Sequence, residues 1–120
     1  MTLVDTSVWI DHFRRSNAVL MRLLDDEEVA VHPFVIGEIA VGNLKNRAET
    51  LADLSLLPQM PMVEEHEVRH LLESRRLWGR GLGWVDLHLL ASATLAGLGL
   101  LTADRAMAEA ASLLGIPTYR

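Results

Sequence analysis

Short apolar runs alternate along this chain with longer stretches whose apolar residues recur at helical spacing, and the alternation predicts an α/β fold. Thr2-Leu3-Val4 is a β-type run ending at Asp5, and Ser7 then opens an amphipathic stretch carrying Trp9, Ile10 and Phe13. A second helix is expected over 18–25, then a strand at Val29-Ala30-Val31 that stops near Pro33, a residue suited to the first turn of a helix. Val35, Ile36, Ile39, Ala40 and Val41 make 33–44 a nearly all-apolar helix, and 48–57 forms another before Pro58 and Pro61 break the pattern. Met62-Val63 reads as a third short strand, and 65–78 as a more polar helix with Val68, Leu71, Leu72 and Leu77 on its apolar face. After the loop Gly79-Arg80-Gly81-Leu82-Gly83 come a helix over 84–96, a strand over 98–101, a helix over 106–114 and a last short strand at 117–119.

Short strands this apolar suit a parallel sheet covered by helices on both faces, and in such sheets ligands gather at the carboxyl ends of the strands. The chain has 120 residues, half of them hydrophobic and without internal repeats, so one domain over 1–120 is expected. The longest run free of charge and histidine, 89–103, is shorter than the ~20 residues a membrane helix needs, so no membrane span is expected.

Composition narrows the chemistry. Cysteine is absent, which excludes disulfides and Cys-based zinc sites and makes a reducing cytoplasm the natural setting; no secretory signal is visible at the N-terminus. The formal net charge is −5, from 16 acidic against 11 basic residues, and Lys45 is the only lysine. A broad lysine-rich nucleic-acid footprint is therefore missing. An acidic cleft that recruits cations can nevertheless engage phosphates locally.

Four carboxylates stand out by position. Asp5 ends the first strand beside the hydroxyls of Thr6 and Ser7. Asp86 begins an apolar helix after the glycine loop, and Asp104 follows the 98–101 strand with Thr102 close by. For each of these three, capping the next helix is the competing explanation. Glu38 is the only charged residue between Pro33 and Asn43, in a helix apolar on nearly every side. Unpaired burial there would be costly, and simple exposure beside Gly37 and Gly42 is the alternative. Four carboxylates placed together repel one another unless divalent cations enter, and oxygen-only ligation suits Mg2+ or Mn2+ rather than zinc.

The remaining candidates are weaker. His12, His32, His66, His70 and His88 follow no metal-ligand spacing and read as structural or surface residues, and His88, two positions after Asp86 and so on a different face of the same helix, is a candidate for substrate contact. Arg75, Arg76 and Arg80 with Trp78 and Trp84 flank the glycine loop. Arg80 and Trp84 are the candidates for phosphate contact and base stacking, against the alternative that both tryptophans are core.

With Asp5-Thr6-Ser7, Val35-Ile36-Gly37-Glu38-Ile39-Ala40, Gly83-Trp84-Val85-Asp86-Leu87-His88-Leu89-Leu90-Ala91 and Leu101-Thr102-Ala103-Asp104 in this order, the chain closely resembles PIN-domain ribonucleases of the VapC toxin type. The resemblance spans essentially the whole length. It implies a PIN-like three-layer α/β/α sandwich on a short, mostly parallel sheet, and Mg2+- or Mn2+-dependent cleavage of RNA. By it, Asp5, Glu38, Asp86 and Asp104 would be both catalytic residues and metal ligands, with Thr6, Ser7 and Thr102 supporting them. Water activated by the cations would attack the RNA phosphodiester and leave a 3′-hydroxyl and a 5′-phosphate. It further implies a toxin held by a cognate VapB-type antitoxin, with a homodimer and a toxin–antitoxin hetero-oligomer; Trp9, Phe13 and Leu44 are candidates to line the antitoxin groove. Three other readings compete. A silent PIN-like module that binds RNA or a partner commonly lacks one or more of these acids, and none is missing here. A receiver-like phosphoacceptor domain needs a lysine near its last strands, and Lys45 lies elsewhere. A dehalogenase-type phosphatase wants a second aspartate where Ser7 stands.

Overall fold

Thr2, Leu3 and Val4 of the first strand are all buried, so both faces of the sheet are covered. The computed structural model describes residues 1–119. Its elements run β1 (Thr2–Val4), α1 (Thr6–Arg15), α2 (Ala18–Asp25), β2 (Val29–Ala30), α3 (Pro33–Ala40), α4 (Arg47–Leu56), α5 (Glu65–Ser74), α6 (Trp84–Ala96), β3 (Gly99–Leu101) and α7 (Arg105–Leu113). The strands form a parallel sheet in the order β2-β1-β3, with Thr2 opposite both Val29 and Gly99 and Val4 opposite Leu101. Helices α1, α3 and α4 pack in one group and α5, α6 and α7 in another, which is the expected α/β/α arrangement.

Because β1 is central, the chain leaves it first towards β2 on one side and later reaches β3 on the other. The connections therefore diverge at the carboxyl end of β1, the place where open parallel sheets form ligand crevices. There the Asp5 N–H donates to the Leu101 carbonyl at 2.9 Å and ties the ends of β1 and β3 together.

The structure shortens several expected elements. The helix expected over 33–44 ends at Ala40, because the chain turns at Val41 and Gly42, and it leaves Val41 exposed. The helix expected over 65–78 ends at Ser74. Arg76 takes a left-handed conformation (φ 53°) and the Leu77 N–H closes on the Leu72 carbonyl at 3.0 Å, burying Leu77 and leaving Trp78 outside. No strand forms at Met62-Val63. The parallel bridge falls earlier, between Val31 and Gln59, and Pro61, which has no N–H to donate, stops it from extending. At the other edge, the strand expected over 117–119 is a single bridge between Leu100 and Thr118. Gly99 permits that approach: a Cβ there would lie 2.8 Å from Cε2 of Tyr119 and 3.2 Å from the Pro117 carbonyl.

Candidate active site

Asp5 occupies the N-cap position of α1, yet its side chain makes no capping hydrogen bond. Capping therefore does not explain it. Its Oδ2 instead accepts from the Thr102 hydroxyl at 2.7 Å and the Ser7 hydroxyl at 3.1 Å, and the carboxylate is 6% exposed. Ser7 in turn accepts from the Ala103 N–H at 3.2 Å, and the Thr102 oxygen accepts from the Asp104 N–H at 3.0 Å. One hydroxyl, that of Thr102, thus joins the ends of β1 and β3 and links Asp5 to the backbone of Asp104.

The other acids arrive from three further elements. Packing of α1 on α3 brings Thr6 to Glu38, whose Oε1 accepts from the Thr6 hydroxyl at 2.6 Å. Glu38 is exposed, which corrects the expectation of a costly buried charge: α3 buries Val35 and Ile39 and turns Gly37 and Glu38 to solvent. Asp86 lies in the first turn of α6, where its Oδ2 accepts from the Gly83 N–H at 2.8 Å. Asp104 caps α7, its Oδ1 accepting from the N–H groups of Ala106 at 2.8 Å and Met107 at 3.3 Å. Asp86 and Asp104 both make the capping contacts that the sequence allowed.

The electrostatics of Asp86 tie the four together. Its pKa is raised above the ordinary carboxylate value, first by burial and then by the like charges of Asp5, Asp104 and Glu38, while the Gly83 hydrogen bond opposes the shift. Three acids from separate elements therefore act on a fourth. Among the described residues, no three Asp, Glu, His or Cys side chains stand close enough to share an ion as they are. The donor set is open, all oxygen and mutually repulsive. In its chemistry it fits a hard divalent cation, which would draw the carboxylates inward.

The basic and aromatic candidates fall partly outside this group. Arg80 folds back so that its Nε donates to the Arg76 carbonyl at 3.0 Å. Trp78 and Trp84 are 56% and 40% exposed, so neither is core. Arg75 is engaged elsewhere, donating to the Leu113 carbonyl at 2.7 Å. Trp9 is buried, whereas Phe13 and Leu44 are half-buried; a groove of about 300 Å³ runs beside Trp9 and Phe13 and is closed by Leu24 and Leu54.

Sequence reasoning named Trp84 and His88 separately but missed the cluster that they form with His32 and Phe34. His32 and His88 are buried with ring centroids 6.4 Å apart, and His32 Nδ1 accepts from the Phe34 N–H at 2.9 Å. Burial, reinforced by His88, lowers the His32 pKa to about 4. The Glu65–Arg69 spacing of four residues was a usable signal for another part of this cluster: Arg69 bonds Glu65 at 2.9 Å and lies 5.6 Å above the Trp84 ring.

A family model described as the PIN domain matches residues 2–113. The chain belongs to the PIN-domain family. It is 54% identical over 86 residues to Ribonuclease VapC32 of Mycobacterium tuberculosis strains CDC 1551 / Oshkosh and ATCC 25618 / H37Rv, a match covering 72% of this chain and 69% of the relative. Similar folds occur in FitAcB from Neisseria gonorrhoeae (TM-score 0.66, 16% identity, covering 100% of this chain and 97% of that one). FitAB bound to an IR36 DNA fragment gives a TM-score of 0.65 at 16% identity, covering 99% and 94% of the two chains. PAE2754 from Pyrobaculum aerophilum gives 0.60 at 22%, covering 88% and 81%. At these identities the structural likeness concerns the fold alone.

Proposed function

We propose that this chain is a Mg2+- or Mn2+-dependent endoribonuclease that acts as the toxin of a toxin–antitoxin pair in the cytoplasm. The observation that carries this reading is the convergence of Asp5, Glu38 and Asp104 on the electrostatics of Asp86 at the crevice end of β1. The relationship to a VapC ribonuclease supports RNA as the substrate.

Asp5, Glu38 and Asp86 would hold the cation, with Asp104 completing the set. A bound divalent ion would supply acidified water and neutralise charge that develops on the phosphate. The chain's own work is positional. Thr102 and Ser7 fix the Asp5 carboxylate, Thr6 fixes Glu38, and the Gly83 N–H fixes Asp86. No side-chain nucleophile is required: with water adding to phosphorus and the 3′ oxygen leaving and taking up a proton, products should carry a 3′-hydroxyl and a 5′-phosphate.

The partner in this reading is a VapB-type antitoxin bearing an arginine that enters the acidic site and makes charge-assisted bonds to the carboxylates. The groove beside Trp9 and Phe13 would take its apolar residues. A homodimer and a toxin–antitoxin hetero-oligomer belong to the same reading. Among the described residues no helix is long and apolar enough to cross a membrane. The silent-module reading is disfavoured by the full set of four acids, and the receiver reading by Lys45, which sits in the turn between α3 and α4.

The test is end-group analysis of RNA cut by purified protein, together with growth of a host expressing the chain with and without its neighbouring small open reading frame. Termini of the stated kind and growth arrest relieved by the neighbour support the proposal. A 2′,3′-cyclic phosphate, or equal growth of wild type and Asp5→Asn in all cases, overturns it.

A further inference from the structure

A cavity of about 490 Å³ is lined by Phe34 of α3, Glu65 of α5, Trp84 and His88 of α6, and Met62 and Glu64 from the segment before α5. Its size falls within the ~300–1,000 Å³ of small-ligand clefts. Its two aromatic walls belong to the helices that carry the acids. Phe34 precedes Glu38 by four residues on α3, one turn along the same face and about 6 Å along the axis, whereas Trp84, two residues before Asp86, stands on a different face of α6. Both rings meet His88 steeply, Phe34 at 4.8 Å and 64° and Trp84 at 5.0 Å and 86°.

Two features go beyond a generic aromatic surface. His88 is 4% exposed and its Nδ1 is a buried polar atom without a hydrogen-bond partner. Glu65 is held in place by Arg69, whose Nε and Nη2 both donate to Oε1, at 3.3 and 2.9 Å. The same guanidinium covers the Trp84 ring at 5.6 Å, so it fastens the carboxylate to the aromatic wall.

We propose that Phe34, Trp84, His88 and the Glu65 carboxylate form a subsite for one unpaired guanine base of the RNA, next to the phosphate that is cut. The aromatic rings supply stacking surface, which any base can use. Glu65 supplies the selection: a carboxylate only accepts, and guanine alone among the four bases presents two adjacent donors, N1–H and the N2 amino group, on its Watson–Crick edge. A carboxylate also repels a phosphate, so the cavity favours the base over the backbone. This proposal rests on the ribonuclease reading for its substrate, but the pocket itself does not depend on cleavage.

The test separates the two. Single-stranded RNA randomised around the cut is digested with wild type, Glu65→Gln and Trp84→Ala, and the cut ends are sequenced. Binding of the trinucleotides UGU, UAU and UIU (I, inosine) to Asp5→Asn protein is measured by calorimetry without divalent cation. We expect guanine enriched about tenfold over adenine at one fixed position, the usual scale for a bidentate base contact. Glu65→Gln should abolish that preference by lowering cleavage at guanine sites to the level of adenine sites, and Trp84→Ala should weaken cleavage at all sequences. UGU should bind more tightly than UAU, with UIU between them. Cleavage without positional preference for guanine, or a preference that survives in Glu65→Gln, overturns the subsite and leaves the nuclease standing. Absence of cleavage with selective UGU binding overturns the nuclease and leaves the subsite; equal binding of the three trinucleotides overturns the subsite whatever the cleavage result.

Discussion

Replacing Thr102 by valine removes one hydroxyl and keeps the volume, and that hydroxyl has two jobs at the site. It donates to Asp5 Oδ2 at 2.7 Å and accepts from the Asp104 N–H at 3.0 Å, so it sets the position of one acid and the backbone of another. A hydrogen bond to a charged group contributes about 1.5–3 kcal/mol to stability, and Asp5 retains its Ser7 donor, so the folded state should lose about 1–2 kcal/mol. The catalytic effect should exceed what that suggests. Groups that orient metal-ligating carboxylates typically change affinity or activity by about 10–100-fold when removed. The assay is initial cleavage rate against Mg2+ concentration, with urea unfolding in parallel. Thr102→Val should need more cation and cleave more slowly while remaining folded, and Thr102→Ser, which restores the hydroxyl, should recover most of both. A Thr102→Val protein that cleaves like wild type at every Mg2+ concentration would refute the positioning argument.

Other consequences are equally specific. Asp86→Asn should abolish cleavage, on the order of a hundredfold or more, yet raise the melting temperature in chelator, because the raised pKa of Asp86 means that its ionised form is disfavoured in the fold; a lowered melting temperature would contradict this. His32 has a folded pKa of about 4, below its ordinary 6.5, so its contribution is fully present above pH 6.5 and is lost as pH falls towards 4. That amounts to about 3 kcal/mol, read as the difference in urea stability between wild type and His32→Asn, a variant that keeps an acceptor for the Phe34 N–H but cannot titrate. Gly99→Ala should cost about 1–3 kcal/mol by displacing Tyr119 and the Pro117 carbonyl; an unchanged denaturation midpoint would argue against that packing.

The sequence made the alternation of elements and the four acids readable because both are local signals. Asp5 and Asp104 each follow a buried strand and Asp86 opens an apolar helix, and a strand end in a parallel sheet fixes where such side chains gather. The edges of the sheet were misread because prolines decide them: Gln59 rather than Met62-Val63 pairs with Val31, between Pro58 and Pro61. Glu38 was singled out for a reason that proved incorrect. Apolar neighbours suggested burial, but α3 buries only one side, and what marks Glu38 is its contact with Thr6 from another helix. The hydroxyl link from Ser7 and Thr102 to Asp5 joins residues nearly a whole chain apart, and the Phe34–His88–Trp84 cluster assembles from two helices. Neither leaves a periodic trace in one sequence.

The central claim, that these four carboxylates make a cation-dependent ribonuclease site, is most directly tested by one digestion of end-labelled single-stranded RNA. Wild type and Asp5→Asn are compared in Mg2+ or Mn2+, in chelator, and after excess cation is restored. The account predicts that wild type cuts only when the cation is present, regains activity on its return, and that folded Asp5→Asn stays inert throughout. Cleavage that persists in chelator, or in Asp5→Asn, would contradict it.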